Sequence, residues 1–308
     1  IGSSNDIWKV KPNNGGIFFS DKITYKGIIA NLGVRFNYWA PGKFADDAVN
    51  NPNAPVIDQV RQDYKSNTVK VFGLRYKARV LPKINVSFPV TSNNVLYFNY
   101  SHSMRLPHPR FVYAGLDPEF QDRSFLSFLG NPDLNPEVNV SYEVGYKSQI
   151  GKNIGLTLAA YNNNRFDYIV SRRVIVNDQT GRPVSKTMYI NQDYAKVQGA
   201  EVNLIWRITQ YLRTFSNVAY QLAKGKSNSA RESSLQIEQN GEVPLSSEQY
   251  LAWDRPWNIN LGVVFAPDTT FKLYGKWMHG MQIYFSSSYQ SGFRYTPMIR
   301  EGENQLGR

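Results

Sequence analysis

The sequence predicts an all-β fold, a transmembrane antiparallel β-barrel, on three observations. Period-2 alternation recurs over stretches long enough to cross a bilayer, short and long connections alternate strictly, and the composition is too polar for membrane helices yet poor in charge. The chain has 308 residues, of which 42% are hydrophobic, 19% charged and 14% aromatic, with 20 Tyr, 17 Phe and 6 Trp. Soluble domains average roughly 25% charged residues. With a mean hydropathy of -0.44 and apolar runs no longer than the one at 261–266, a helix bundle is excluded, because a spanning helix needs roughly 20 consecutive apolar residues. Disorder is excluded by the abundance of aromatic and β-branched residues.

Cysteine is absent, which removes disulfides, thiolate metal sites and cysteine nucleophiles. The 35 Lys+Arg against 24 Asp+Glu give a formal charge of +11. These charges spread over loops and alternate strand positions instead of gathering on one face, so a nucleic-acid partner is not expected. The chain opens at Ile1 with neither Met nor a targeting segment and reads as a piece of a longer protein.

About ten strands are predicted, at 16–25, 28–39, 78–90, 95–102, 138–149, 154–166, 196–206, 212–222, 256–265 and 270–280. In the second, Ile28, Ala30, Leu32, Val34, Phe36 and Tyr38 alternate with Asn31, Gly33, Arg35 and Asn37. The third sets Ile84, Val86, Phe88 and Val90 against Lys83, Asn85 and Ser87, and the fifth sets Val138, Val140, Tyr142, Val144 and Tyr146 against Asn139, Ser141, Glu143 and Lys147. Val202, Leu204 and Trp206 alternate with Glu201, Asn203 and Arg207; Trp257, Ile259, Leu261, Val263 and Phe265 alternate with Asn258, Asn260 and Gly262. Several segments reach the roughly 9–11 residues of a tilted membrane strand, against about 5–6 in soluble sheets.

Tight links fall at 26–27, 91–94, 150–153, 207–211 and 266–269, and between them come long polar segments at 40–77, 103–137, 167–195 and 223–255. Soluble domains rarely keep several long structureless loops, whereas an outer-membrane barrel has short periplasmic turns and long extracellular loops. The layout expected is five hairpins with every tight turn on one side, residues 1–15 and 281–308 loop-like on the other, and no helix of useful length.

On the apolar face, Tyr38, Tyr100, Tyr146, Trp206, Trp257 and Trp277 sit near strand ends, as an aromatic girdle requires. The other face carries Arg35, Lys83, Asn85, Asn139, Glu143, Lys147, Glu201, Asn203, Asn258 and Asn260. Without partners, a dry core would not accept them; a wet or plugged lumen does. No catalytic residue, cofactor or metal site is expected, and ligand-binding residues stay unassigned. His102, His108 and His279 lack zinc-site spacing. Asp46–Asp47 and the acid at 131–133 read as solvated loop acids, since they lack calcium-loop spacing. No serine stands in a catalytic motif. The 61–79 segment interleaves Arg61, Lys65, Lys70, Arg75, Lys77 and Arg79 with Tyr64, Phe72 and Tyr76, and reads as an outer loop facing lipopolysaccharide or an anionic ligand.

Gly130-Asn131-Pro132-Asp133-Leu134-Asn135-Pro136-Glu137, followed by Ser141-Tyr142-Glu143-Val144-Gly145-Tyr146, resembles the NPxLxPE…YExGY signature of TonB-dependent outer-membrane receptor barrels. Val197-Gln198-Gly199-Ala200-Glu201-Val202 resembles that family's xGxE strand opening. Trp253-Asp254-Arg255-Pro256-Trp257-Asn258 is similar to the WDQRH strand start of Bacteroidetes-type receptors that carry a carboxypeptidase-regulatory-like extension. The resemblance covers about residues 15–300. It implies an outer-membrane barrel of about 22 strands closed by a plug, coupling through that plug to the TonB complex, and uptake of a siderophore, cobalamin, glycan or peptide. Residues 1–308 would then be a partial barrel, with the plug and remaining strands outside this chain. Partners implied are outer-membrane lipid and lipopolysaccharide, the TonB complex and an extracellular ligand. Two rivals make weaker demands on family. A ten-stranded outer-membrane protease needs Asp/His pairs at outer strand ends, where only His102 stands; a soluble carbohydrate-binding β-sandwich needs short loops at both ends.

Overall fold

A computed structural model describes residues 8–117, 128–177, 180–226, 248–268, 271–273, 276–277 and 280–294. In chain order the elements are β1 (Asn13–Tyr25), β2 (Ile28–Ala40), α1 (Lys43–Asn50), α2 (Asp58–Asn67), β3 (Val69–Val71), β4 (Leu74–Thr91), β5 (Asn94–Arg105) and α3 (Pro109–Tyr113). They continue with β6 (Phe128–Leu129), β7 (Glu137–Ile150), β8 (Ile154–Asn177), β9 (Pro183–Arg207), β10 (Leu212–Gly225), β11 (Gln249–Tyr250), β12 (Trp257–Phe265), β13 (Lys272–Leu273), β14 (Lys276–Trp277) and β15 (Ile283–Gln290). Ten strands follow one path, β1-β2-β4-β5-β7-β8-β9-β10-β12-β15, and β3, β6 and β11 attach to it to give a 13-stranded sheet among the described residues.

Every neighbour on that path is antiparallel. Directly paired residues share a face, so the registers test the alternation across the sheet. Phe36 pairs with Val80, Val86 with Phe98, Phe98 with Val144, Val144 with Ala160, Leu158 with Val202, Val202 with Val218 and Val218 with Ile259. Arg35, Lys83, Asn85, Asn139, Glu143, Lys147, Glu201, Asn203, Asn258 and Asn260 all fall on the opposite face. The apolar face is left bare: Phe19 is 70% exposed, Val80 55% and Val144 54%. Among the girdle residues, Tyr38, Tyr100, Tyr146, Trp206 and Trp257 lie on that face. Tyr220 packs on Trp257 at 4.9 Å between ring centroids. The side chain of Trp277 lies outside the described residues.

Nine predicted strands coincide with the path; the tenth does not. Among the described residues there, Lys272–Leu273 and Lys276–Trp277 form the two-residue strands β13 and β14, paired with each other, and β12 pairs instead with β15 at 283–290. The connection expected at 266–269 therefore runs from 266 to 282, and 281–308 is not loop throughout. β15 escapes a parity reading because Ile283-Tyr284-Phe285 is followed by Ser286-Ser287-Ser288, with no alternation. The other four tight turns are where they were expected; Lys26 and Gly27 both take positive φ, 48° and 84°, the geometry of a type I′ hairpin turn.

Three long connections hold more order than expected. The segment 167–195 is mainly strand, since β8 and β9 run on as 24- and 25-residue strands well past membrane length. The ladder slips on either side of Tyr168, and Asp167 takes φ 56°. Just above that bulge both faces of the hairpin are covered, with Ile169, Val170, Ser171, Thr187, Met188 and Tyr189 buried; farther out Val176 is buried but Ile175 is 70% exposed. The connection from β2 to β4 contains α1 and α2, and that from β5 to β7 contains α3 and β6. In α2, Val60 and Tyr64 are four residues apart on one helix face and buried. α1 buries Ala45, Asp46, Ala48 and Val49.

These excursions pack into a cap over the loop side. One cluster joins Ala48, Ala54, Val56, Val60, Leu116, Leu129, Val176 and Met188. A second joins Ala45, Val112, Tyr113, Leu134, Ile169 and Tyr189. Both draw on all three connections, so the cap is one folded unit. Gly130 sits where the second connection crosses itself, and a Cβ there would stand 2.7 Å from the Val112 carbonyl carbon and oxygen. Backbone cannot yield as a flexible side chain does. Gly130→Ala is accordingly expected to destabilise the cap by about 1–3 kcal/mol, the usual cost of overpacking, seen as faster limited proteolysis of the loops with the heat-modifiable gel shift of the barrel unchanged.

Candidate extracellular cap and lumenal face

The cap is held by polar ties that run through the 130–137 motif. Asn131 Nδ2 donates to the Tyr189 carbonyl at 2.9 Å, joining the second connection to β9. Asn135 N donates to Asn191 Oδ1 at 2.7 Å, and Asn191 Nδ2 returns bonds to the Asn135 and Asp167 carbonyls at 3.1 and 2.7 Å. Lys77, at the loop-side end of β4, donates to Asp133 Oδ1 and O at 2.6 Å each and to Asn135 Oδ1 at 3.1 Å. Only 4% of the Lys77 side chain and 14% of the Asp133 side chain is exposed. Glu137 opens β7 and accepts from Arg105 at 2.6 Å and from the Ile169 N–H at 3.4 Å. The motif thus ties β4, β5, β8 and β9 together where the strands leave the sheet.

A second knot forms in the first connection. Asp46, 8% exposed, accepts from the Tyr64 hydroxyl at 2.7 Å and from Arg75 N at 3.3 Å. Burial first, and then the Asp46 carboxylate, raise the Tyr64 hydroxyl well above its ordinary range, keeping it a donor. Arg61 threads back to donate to the carbonyls of Val56 at 3.0 Å, Ala48 at 3.2 Å, Ala54 at 2.8 Å and Val49. Tyr113 donates to the Pro41 carbonyl at 2.7 Å, and burial pushes its hydroxyl up to about 12. The expectation that Asp46 and the 131–133 segment are solvated is therefore wrong: these polar groups are buried or half-buried because each satisfies a distant donor or acceptor, as burial demands. Of the 61–79 basic segment, Arg61, Arg75, Lys77 and Arg79 are spent on ties, Arg79 to Asp167 at 2.8 Å, while Lys65 and Lys70 stay exposed.

Asp254 of the Trp253-Asp254-Arg255-Pro256 segment is fully buried; it accepts from Ala223 N at 2.8 Å and from Arg294 Nε at 2.6 Å, fixing β10 to the approach of β12.

Below the cap the polar face is concave. A recess of about 620 Å³ is bounded by Arg105, Glu137, Asn139, Ser141, Glu143, Tyr161, Asn163, Arg165, Glu201, Gln221 and Trp253. Ser141 donates to Asn163 at 2.6 Å, and Tyr161 to Gln221 at 3.4 Å. The glycines of the two remaining sequence motifs serve this face. Tyr161 pairs with Gly199 and Tyr97 with Gly145, and each ring lies over its partner, where a Cβ would come within 2.6 and 2.2 Å of ring atoms. Such cross-strand aromatic cover of a strand glycine stabilises the ladder and lays the rings flat against the wall. Parity located the recess residues Asn139, Glu143 and Glu201; Tyr161, Asn163 and Gln221 were missed because the alternation in their strands is weaker.

Among the described residues no group of three or more His, Asp or Glu is placed to hold a metal. His102 is on the apolar face opposite Val140 and its Nε2 is 2.6 Å from the Tyr100 hydroxyl. His108 caps α3, accepting from Arg110 N at 3.2 Å. His279 and most of the 223–255 connection lie outside the described residues.

A family model described as TonB dependent receptor-like, beta-barrel matches residues 2–305. A curated relative, the iron-regulated outer membrane virulence protein of Vibrio cholerae, is 30% identical over 105 residues, 33% of this chain and 16% of its own length. Among solved structures, an outer membrane transporter of Escherichia coli superposes with a TM-score of 0.55 at 16% identity over 83% of this chain and 31% of its own. The hemophore receptor of Serratia marcescens gives 0.54 at 14% over 87% and 43%, and the alcaligin receptor of Bordetella pertussis 0.51 at 12% over 92% and 38%. At these identities the structural likeness speaks for the fold, and the chain spans less than half the length of each.

The buried Lys77–Asp133 pair gives a direct test of the cap. Removing one partner of a buried pair costs about 3–5 kcal/mol, whereas replacing both with apolar residues is often neutral. Asp133→Ala is expected to loosen the loops to protease, and Lys77→Met with Asp133→Leu to recover much of the loss.

Proposed function

Because the chain belongs to the TonB-dependent receptor-like β-barrel family of the outer membrane, we propose that it forms part of the wall and extracellular cap of a receptor that captures a ferric chelate and conducts it inward. The carrying observation is the segregation of one sheet into a bare apolar face and a polar, recessed face with a folded cap at its mouth. A soluble sandwich would cover its apolar faces; a lipid-facing wall leaves one bare. The family and its structural neighbours are receptors and transporters, and His102, at the outer end of β5, faces the apolar side.

The sheet path ends at β1 and β15, which do not pair with each other. Hydrocarbon tolerates no unpaired strand edge, so residues 1–308 act as a partial barrel, closed by further strands and filled by a plug that takes its energy from the TonB complex. The segment around Asp254 supports a place in the Bacteroidetes-type branch with a carboxypeptidase-regulatory-like extension. For the ligand, one feature favours an iron chelate over cobalamin, a glycan or a peptide: the curated relative is iron-regulated.

Uptake of radiolabelled ferric siderophores and haem by iron-starved cells of the source bacterium decides it. Deleting the gene for the whole receptor, or collapsing the proton gradient, is expected to abolish uptake of at least one of them. Unchanged iron uptake, with loss of glycan, peptide or cobalamin uptake in the deletion strain, would remove the iron assignment.

A further inference from the structure

The hairpin of β3 and β4 stands outside the cap core, and its two faces differ. Val69 pairs with Tyr76, Lys70 with Arg75 and Val71 with Leu74, so Val69, Val71, Leu74 and Tyr76 share one face. By the period of two, Tyr76 lies on the same side of β4 as Ala78 and Val80, which pair with Tyr38 and Phe36 on the bare apolar face. The Tyr76 ring meets the Tyr38 ring edge-on at 6.1 Å, and Asn13 Nδ2 donates to the Tyr76 hydroxyl at 3.2 Å. The apolar face of the hairpin therefore continues the lipid-facing belt beyond its aromatic girdle.

The opposite face is pinned. Arg75 donates to the carbonyl of Lys65 at 3.2 Å and to Oγ1 and O of Thr68 at 3.2 and 3.5 Å, while its N–H bonds Asp46. That pinning fixes which way the hairpin looks, and the side left open carries Val69 at 69% exposure, Val71 at 41% and, at the tip, Phe72 at 99%. Phe72 also takes φ 46° beside Gly73 at 85°, a left-handed conformation that bulky residues rarely adopt. A fully exposed aromatic in a conformation suited to Asn or Gly gains nothing from the rest of the chain. Lys70, paired with Arg75, stands on the pinned face, so the open face carries no charge of its own.

We propose that the β3–β4 hairpin is a membrane-contact wing, with Val69, Val71 and Phe72 resting in the outer-leaflet lipid surface. Continuity with the lipid-facing belt selects lipid over any other occupant: the same face that meets acyl chains lower on β4 reaches the headgroup zone at the hairpin. Aromatic and aliphatic side chains on one face of an element are what settles in this zone. The wing would hold the cap, through Arg75 and Asp46, at a fixed height over the bilayer.

The test uses the whole receptor, freed of any cysteines elsewhere, in bilayers containing lipopolysaccharide. This segment has no cysteine of its own, so a nitroxide attached at Phe72→Cys or Val69→Cys reports one site. Val80→Cys on the lipid face and Asn53→Cys in the exposed first connection serve as references. Collision of the label with oxygen, which concentrates in lipid, is compared with collision with a water-soluble nickel chelate. The oxygen-to-nickel ratio at both hairpin sites is expected to exceed that at Asn53→Cys several-fold and to approach that at Val80→Cys. A ratio equal to that at Asn53→Cys would overturn the proposal in favour of a free loop. Oxygen and nickel collisions that are both suppressed would overturn it in favour of cover by protein.

Discussion

Hydrocarbon offers a backbone amide no partner but another strand, and this requirement organises the whole molecule. Between β1 and β15 the ladder is continuous, so each residue's face is set by its parity and its register. One face must then suit lipid and the other an aqueous or plugged interior. Motifs that look like signatures of function are, in their geometry, devices for keeping this wall intact. Gly145 and Gly199 admit the rings of Tyr97 and Tyr161 against the ladder, and Asp254 fixes the approach to β12.

Above the bilayer the constraint reverses. Water can satisfy loose backbone, so the long connections are free to wander, yet they condense into a cap. Two apolar clusters supply the cohesion and a few long-range polar ties set the arrangement. Residues 130–137 sit at the meeting point: Asp133 holds Lys77, Asn131 holds Tyr189 and Glu137 holds Arg105. A cap built this way positions whatever binds outside directly above the polar recess, while the bulge at Tyr168 lets the β8–β9 hairpin change from membrane wall to cap scaffold without breaking the chain of pairing.

Parity made the sheet legible, because a one-residue slip would move every side chain to the wrong solvent. It failed where that pressure is absent. β15 carries Ser286, Ser287 and Ser288 in a row, so 270–280, with its Lys and aromatic mixture, looked more strand-like. Next to its bulge the β8–β9 extension is covered on both sides and lost its alternation with its solvent face. The role of Asp46 and Asp133 was illegible for another reason: their partners Tyr64 and Lys77 lie 18 and 56 residues away, and local spacing carries no trace of such pairs. The helices α1 and α2, eight and ten residues long, are too short to announce a period of 3.6 among polar residues.

The most direct measurement is a cysteine scan of β7 from Val138 to Lys147 in the whole receptor, labelled in intact outer membranes with a lipid-soluble reagent and with a water-soluble one. The account predicts strict alternation below the buried Val138 and Val140: Tyr142, Val144 and Tyr146 react from the lipid, and Ser141, Glu143 and Lys147 only from the aqueous side. Uniform aqueous labelling along the strand, or alternation of the opposite phase, would contradict the assignment of this sheet as the wall of a membrane barrel.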